Sequence, residues 1–122
     1  MKKLAVIAFL VMFRLFAVAA LANASAVEIV APEHAKIGSS ITITVNVTHS
    51  GNNIFHFTDW VWIRVNDKEV GRWEFTWNHL PESNNFTRQV TITVTGPLKI
   101  SAKSNCNLHG SAGERSIDIR VP

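Results

Sequence analysis

Ile41-Thr42-Ile43-Thr44-Val45-Asn46-Val47 alternates apolar and polar side chains at every step. Successive side chains of an extended chain point to opposite faces, so this stretch reads as a strand with one face buried and one wet. Val90-Thr91-Ile92-Thr93-Val94-Thr95 repeats the pattern, and Gly96-Pro97 breaks it. Between the two, residues 60–65 and 69–77 flank the turn Asn66-Asp67-Lys68 and read as a hairpin. In the first arm Trp60, Trp62 and Arg64 share one face, and Val61, Ile63 and Val65 the other. Residues 98–102 and 116–121 are the last strands, and 27–30 forms an edge strand ahead of the first. No amphipathic helical period appears after residue 26. About seven short strands separated by turn signals predict an all-β chain folded as an antiparallel β-sandwich of immunoglobulin-like type.

Ahead of these strands the chain has a different character. Lys2 and Lys3 make a basic start, and an apolar stretch over residues 4–20 follows, interrupted by Arg14. Two overlapping small-x-small sites, Ala22-Asn23-Ala24 and Ala24-Ser25-Ala26, come next. This pattern predicts a secretory signal peptide over residues 1–26 and a single domain over 27–122, exported to the periplasm or the extracellular space and free of the membrane after cleavage. Three of the 12 Lys and Arg (Lys2, Lys3, Arg14) lie in the leader, leaving nine against nine Asp and Glu. A near-neutral domain provides no basic field for nucleic acid and no polybasic patch for lipid. Met1 and Met12 also lie in the leader, so residues 27–122 contain no thioether.

The chain has one cysteine, so no disulfide can form within it. That cysteine stands in Asn105-Cys106-Asn107-Leu108-His109-Gly110, where a thiolate and an imidazole three residues apart can reach one metal ion. An unpaired thiol outside the cytoplasm is prone to oxidation unless it is buried or ligated. A second donor pair, His49 and His56, flanks Ser-Gly-Asn-Asn-Ile-Phe, and such a loop can curl until both imidazoles converge. Loops of a sandwich gather at its two ends, so residues 48–57 and 105–114 can meet. The expected metal ligands are therefore His49, His56, Cys106 and His109. His79, beside Trp77 and Pro81, reads as a turn residue, and His34 as a surface residue. No nucleophile elbow or phosphate-cradling glycine loop is present.

These residues resemble the iron-binding domain of the desulfoferrodoxin/neelaredoxin family, the superoxide reductases. Cys106-Asn107-Leu108-His109-Gly110 matches the family's Cys-Asn-x-His-Gly loop, His56 and Trp60 match its His-x-x-x-Trp spacing, and Gly71-Arg72-Trp73-Glu74-Phe75 its Gly-Arg-x-Glu-Phe strand. The resemblance implies a mononuclear non-haem iron held by histidine nitrogens and an axial cysteinate. It implies reduction of superoxide to hydrogen peroxide, with an external electron donor restoring the iron. The chain departs from the family in two places. Six residues, not five, separate His49 from His56, and Ser50 stands where the family has proline. No Lys-His pair precedes the first strand. Two other readings remain open on sequence alone. One is a type 1 copper electron-transfer protein, which the lack of a methionine in residues 27–122 disfavours. The other is a non-catalytic β-sandwich binding module with a partial metal site.

Overall fold

The computed structural model describes residues 23–122. Residues 1–22 of the expected leader lie outside the described residues. Seven strands follow: β1 (Ala26–Val30), β2 (Ser40–Thr48), β3 (Thr58–Val65), β4 (Lys68–Glu74), β5 (Asn85–Thr93), β6 (Leu98–Cys106) and β7 (Arg115–Ile119). They form two antiparallel sheets, a three-stranded one in the order β1-β2-β5 and a four-stranded one in the order β4-β3-β6-β7. The all-β sandwich expected from the alternation is the fold observed.

The alternating faces build its core. Ile41, Ile43, Val45 and Val47 of β2 are buried against Val61 and Ile63 of β3 and Ile100 and Ala102 of β6. Burying one such side chain is worth about 1.5–3 kcal/mol, so the four from β2 together rival the whole stability of a small domain. A one-residue slip of β2 would turn all of them to solvent, and this fixes the pairing Ile43↔Val90 and Val47↔Phe86. The β3–β4 turn places Asn66 and Asp67 at φ of 49° and 65°, the left-handed pair that a two-residue hairpin of type I′ requires. Gly71 in β4 is needed for space, because a Cβ there would lie 2.7 Å from the Trp73 ring and 2.9 Å from Val90.

Three strand boundaries lie three or more residues from the sequence reading. β5 begins at Asn85, not Val90, because residues 85–89 pair fully with the C-terminal half of β2. Its alternation is hidden by Arg88, which occupies a position on the inner side between Phe86 and Val90. The Arg88 guanidinium lies 4.9 Å from the Phe86 ring centre and binds Glu82 at 2.7 Å, so its charge is partnered while its stem packs. β4 ends at Glu74, and Thr76 and His79 close a turn by reciprocal backbone bonds of 3.0 Å. β6 runs on to Cys106, well past Ala102.

The registers set what gathers where. Ala26 pairs with Thr48, Thr48 with Asn85, and Thr58 with Cys106. The start of β1, the end of β2, the start of β3, the start of β5 and the end of β6 therefore share one end of the sandwich. Loops 49–57, 75–84 and 107–114 emerge there.

Candidate metal centre

Cys106 is the last inward position of β6. Leu98, Ile100, Ala102, Ser104 and Cys106 are all buried, so the apolar alternation of the strand ends in a hydroxyl and then a thiol, with Cys106 1 % exposed. The sequence reading placed Cys106 in a loop over residues 105–114, whereas the strand runs on to it. Asn105 and Asn107 occupy the outward positions on either side. Beyond the thiol the chain reverses. Cys106 N–H donates to the Gly110 carbonyl at 2.7 Å and Gly110 N–H returns the bond at 2.9 Å, with Gly110 at φ 73°. This reversal directs the His109 N–H at Sγ, 3.4 Å away, and brings His109 Nδ1 to 3.7 Å from the same sulfur.

The earlier loop meets it. Donor atoms of His49, His56 and Cys106 all lie within 4.8 Å of one another. Ligands bound to one ion at about 2.0–2.3 Å can be no more than about 4.6 Å apart, so these three need a shift of only a few tenths of an ångström. His109 Nδ1 lies 3.0 Å from His56 Nε2, close to the separation of about 2.9 Å for two nitrogens at right angles on one ion. Of the four expected ligands, His49, His56 and Cys106 converge, and His109 lies beside the last two. His49 and Cys106 form the buried floor, His56 is half-buried, and His109 stands exposed at the rim. Ile54, Phe55 and Leu108 project from the same loops into solvent.

The state of His49 follows from its neighbours. The side-chain oxygen of Asn52 accepts the Thr58 N–H at 2.7 Å, while its amide nitrogen donates to the carbonyls of Ser83 at 2.8 Å and Asn84 at 3.4 Å. These bonds leave the amide one orientation. The same oxygen lies 3.0 Å from His49 Nδ1, so Nδ1 must carry the proton and Nε2 the lone pair. His49 Nε2 is buried and has no hydrogen-bond partner. A buried lone pair without a partner is costly in a finished structure, and coordination would satisfy it. A protonated Nδ1 held by a side-chain oxygen is also the arrangement by which metal-binding imidazoles are oriented. The residues present thus fit a metal ion.

Other asparagines and hydroxyls hold the loops. Asn53 Oδ1 accepts the N–H groups of Phe55 and His56, both at 3.0 Å, and shapes the turn that presents His56. Asn107 ties the two ligand loops together, accepting the Phe57 N–H at 2.9 Å and donating to the Phe55 carbonyl at 3.1 Å. Thr58 Oγ1 reaches His49 Nδ1 at 3.1 Å and Ser25 Oγ at 2.9 Å, and Ser25 Oγ reaches Ser104 Oγ at 2.8 Å. Strand alternation from Val61 and Ile63 would bury Asp59 and expose Thr58. A register shift between Thr58 and Trp60 turns Thr58 inward instead. Apart from Asn107, which stands in the Cys-Asn-x-His-Gly motif, none of these supporting residues was singled out in the sequence.

Burial, and after it the imidazoles of His49 and His109, hold His56 below the ordinary value of 6.5, against a hydrogen bond to the Asn23 backbone that acts in the opposite direction. His34 is remote, bridged to Arg120 beyond the end of β7 at the other end of the sandwich, where it lines a cavity with Glu33 and Asp118. His79 lies against the Phe75 ring at 6.4 Å, as a turn residue would. Trp60 pairs with Asn105 across β3 and β6, one residue from the thiol.

Comparison with known proteins agrees with this arrangement. The family model described as desulfoferrodoxin matches residues 23–112. Superoxide reductase (neelaredoxin) from Ignicoccus hospitalis superposes with a TM-score of 0.67 at 24 % identity, over 81 % of this chain and 82 % of that one. A single-substitution variant of the same protein gives 0.69 at 25 %, over 87 % and 86 %. The CARDB domain of a Pyrococcus furiosus protein, solved with two metal ions, gives 0.61 at 16 % identity over 80 % and 91 %, and so shares the sandwich alone. No curated protein matches.

Proposed function

Because the chain belongs to the desulfoferrodoxin family, we propose that it is a mononuclear non-haem iron protein that reduces superoxide by one electron to hydrogen peroxide, with His49, His56, His109 and Cys106 as ligands. The observation that carries this reading is the buried, partnerless Nε2 of His49, in a cluster whose His49, His56 and Cys106 donor atoms lie within 4.8 Å of one another. Iron, when bound, supplies the one-electron chemistry. The chain supplies the rest. Cys106 offers a strongly donating sulfur from the dry side of the site, and the Asn52 bond keeps His49 in the tautomer that can bind. His109 and His56 leave the outer side open to a small anion and to an electron donor. Exposed Ile54, Phe55 and Leu108 give that donor an apolar contact surface. We further propose export, on the strength of the basic and apolar leader. No Lys-His pair precedes β1, so superoxide lacks that local cation. Turnover is expected to be slower than in relatives that carry the pair.

The test is metal analysis with a visible spectrum of the purified protein. One iron per chain and a thiolate-to-iron charge-transfer band on oxidation are expected, and Cys106→Ser should abolish the band while superoxide no longer oxidises the protein. An intense blue copper protein would favour the type 1 copper reading. A protein that binds no redox metal would leave only a binding module.

A further inference from the structure

Ser25 stands just ahead of β1 and is fully buried. Its backbone forms a parallel bridge with Ser111. Ser25 N–H donates to the Gly110 carbonyl at 3.3 Å, and the Ser25 carbonyl accepts the Ala112 N–H at 2.9 Å, which straps down the segment that follows His109. The Ser25 hydroxyl lies 2.9 Å from Thr58 Oγ1 and 2.8 Å from Ser104 Oγ, and Thr58 Oγ1 lies 3.1 Å from His49 Nδ1. One residue therefore joins the loop of His109, the strand of Cys106 and a partner of His49. The hydroxyl protons along this chain run in one sense. Asn52 Oδ1, 3.0 Å away, keeps the proton on His49 Nδ1, so Thr58 Oγ1 can only accept from that nitrogen. The Thr58 proton then goes to Ser25 Oγ, and the Ser25 proton to Ser104 Oγ. With the Ser25 hydroxyl gone, the Thr58 proton is free to turn toward His49 Nδ1, where it favours the tautomer that cannot bind through Nε2.

Both small-x-small sites of the expected leader fall on this residue. A cut after Ala26 deletes Ser25 with all of these bonds. A cut after Ala24 removes a side chain that is only 5 % exposed and leaves a charged chain end at a residue with no exposed surface, which is costly. The desulfoferrodoxin family match begins at residue 23, ahead of both sites. We propose that Ser25 is a positioning residue of the metal centre and that export processing spares it, so that the exported chain begins at or ahead of Ala24. Such a cut is a peptide-bond hydrolysis by a signal peptidase. One water is consumed, the C–N bond breaks, and a carboxylate leaves with the leader while the exported chain gains an amine. The positioning half rests on the iron reading above, and the processing half does not.

The experiment expresses the full chain in an exporting bacterium and takes the intact mass and N-terminal sequence of the exported protein. A start at or ahead of Ala24 is expected, and a start at Ser25 or Val27 overturns the processing half. Ser25→Ala keeps the backbone bonds and loses only the hydroxyl. It should bind Fe²⁺ at least about threefold more weakly in anaerobic competition with a chelator. A double-mutant cycle then separates positioning from a general loss of stability. Thr58→Val removes the hydroxyl through which Ser25 reaches His49, so adding Ser25→Ala to it should weaken iron binding by less than about twofold more. In Thr58→Ser, which keeps that hydroxyl, Ser25→Ala should have its full effect. Iron binding by Ser25→Ala within about twofold of the wild type, or equal effects in the Val and Ser backgrounds, overturns the positioning half and leaves the iron reading intact. A wild type that binds no iron overturns the iron reading and the positioning half together, while the first residue of the exported chain still decides the processing half.

Discussion

Asn52→Ala is the most informative single change at the metal centre. It deletes the acceptor of the Thr58 N–H at 2.7 Å and of His49 Nδ1 at 3.0 Å, together with the donor to the Ser83 carbonyl at 2.8 Å. Thr58 is fully buried, so its N–H is left without a partner at a cost of about 1–3 kcal/mol. The lost tie to residues 83–84 adds about 1 kcal/mol. Urea unfolding of chelator-treated protein should therefore show a loss of about 2–4 kcal/mol. Freed of Asn52, the His49 proton can move to Nε2 and block coordination. Loss of such an orienting bond typically weakens metal binding about 10- to 100-fold, or about 1.4–2.7 kcal/mol. Anaerobic competition between the protein and a chromogenic Fe²⁺ chelator measures it. Asn52→Asp is the control for iron affinity, because it keeps both acceptor roles while setting a carboxylate oxygen against the Ser83 and Asn84 carbonyls. It should lose at least about 1 kcal/mol of stability and retain its iron affinity. If Asn52→Ala loses stability as expected yet binds iron within about threefold of the wild type, the tautomer is not set by this amide and the reasoning fails.

Asn107→Ala should loosen the His56 loop from the Cys106 loop, lowering the urea midpoint by an equivalent of about 1–2 kcal/mol and weakening iron binding, read in the same two assays. His56→Ala should abolish iron binding, whereas His34→Ala should leave iron content and the oxidised spectrum unchanged, as metal analysis would show. A loss of iron in His34→Ala as large as in His56→Ala would contradict the placement of His34 at the far end. His56 has a lowered folded-state value, so the unfolded chain takes up the proton first. The stability it contributes is complete above about 6.5 and declines as pH falls below that toward the lower folded value. Denaturation midpoints of chelator-treated protein between pH 7.5 and 5 should fall accordingly, and His56→Ala should flatten the trend.

The sandwich was legible because its core strands announce themselves. Ile41 to Val47 alternate without a break, and their burial energy leaves no competing register. The boundaries were harder wherever a polar residue takes an inward position for a local reason. Arg88 hides the first half of β5, since a guanidinium stacked on Phe86 and paired with Glu82 looks like a surface residue in sequence. Ser104 and Cys106 hide the end of β6 in the same way. The candidate donors stood out because imidazole and thiolate chemistry is rare and their spacing is short. Their supports could not be found. Asn52, Asn53 and Asn107 act through the direction of one amide each, and an asparagine in a Gly-rich loop reads the same whether it caps a turn or orients a ligand. Thr58 enters the site only through a register shift in β3, which composition does not reveal.

The donor groups are positioned by amides and hydroxyls of the protein itself, and this bears on which element the site will contain. Three imidazoles and a thiolate held by such bonds offer good ligands to nearly every first-row divalent ion. In the usual order of affinities Cu²⁺ and Zn²⁺ outrank Fe²⁺. Selectivity must then come from supply and timing, and mismetallation is the natural hazard of the architecture. Metal found in protein purified from rich medium will report the medium as much as the site. Protein stripped by chelator and reloaded anaerobically with Fe²⁺ alone is the sample whose spectrum describes the centre.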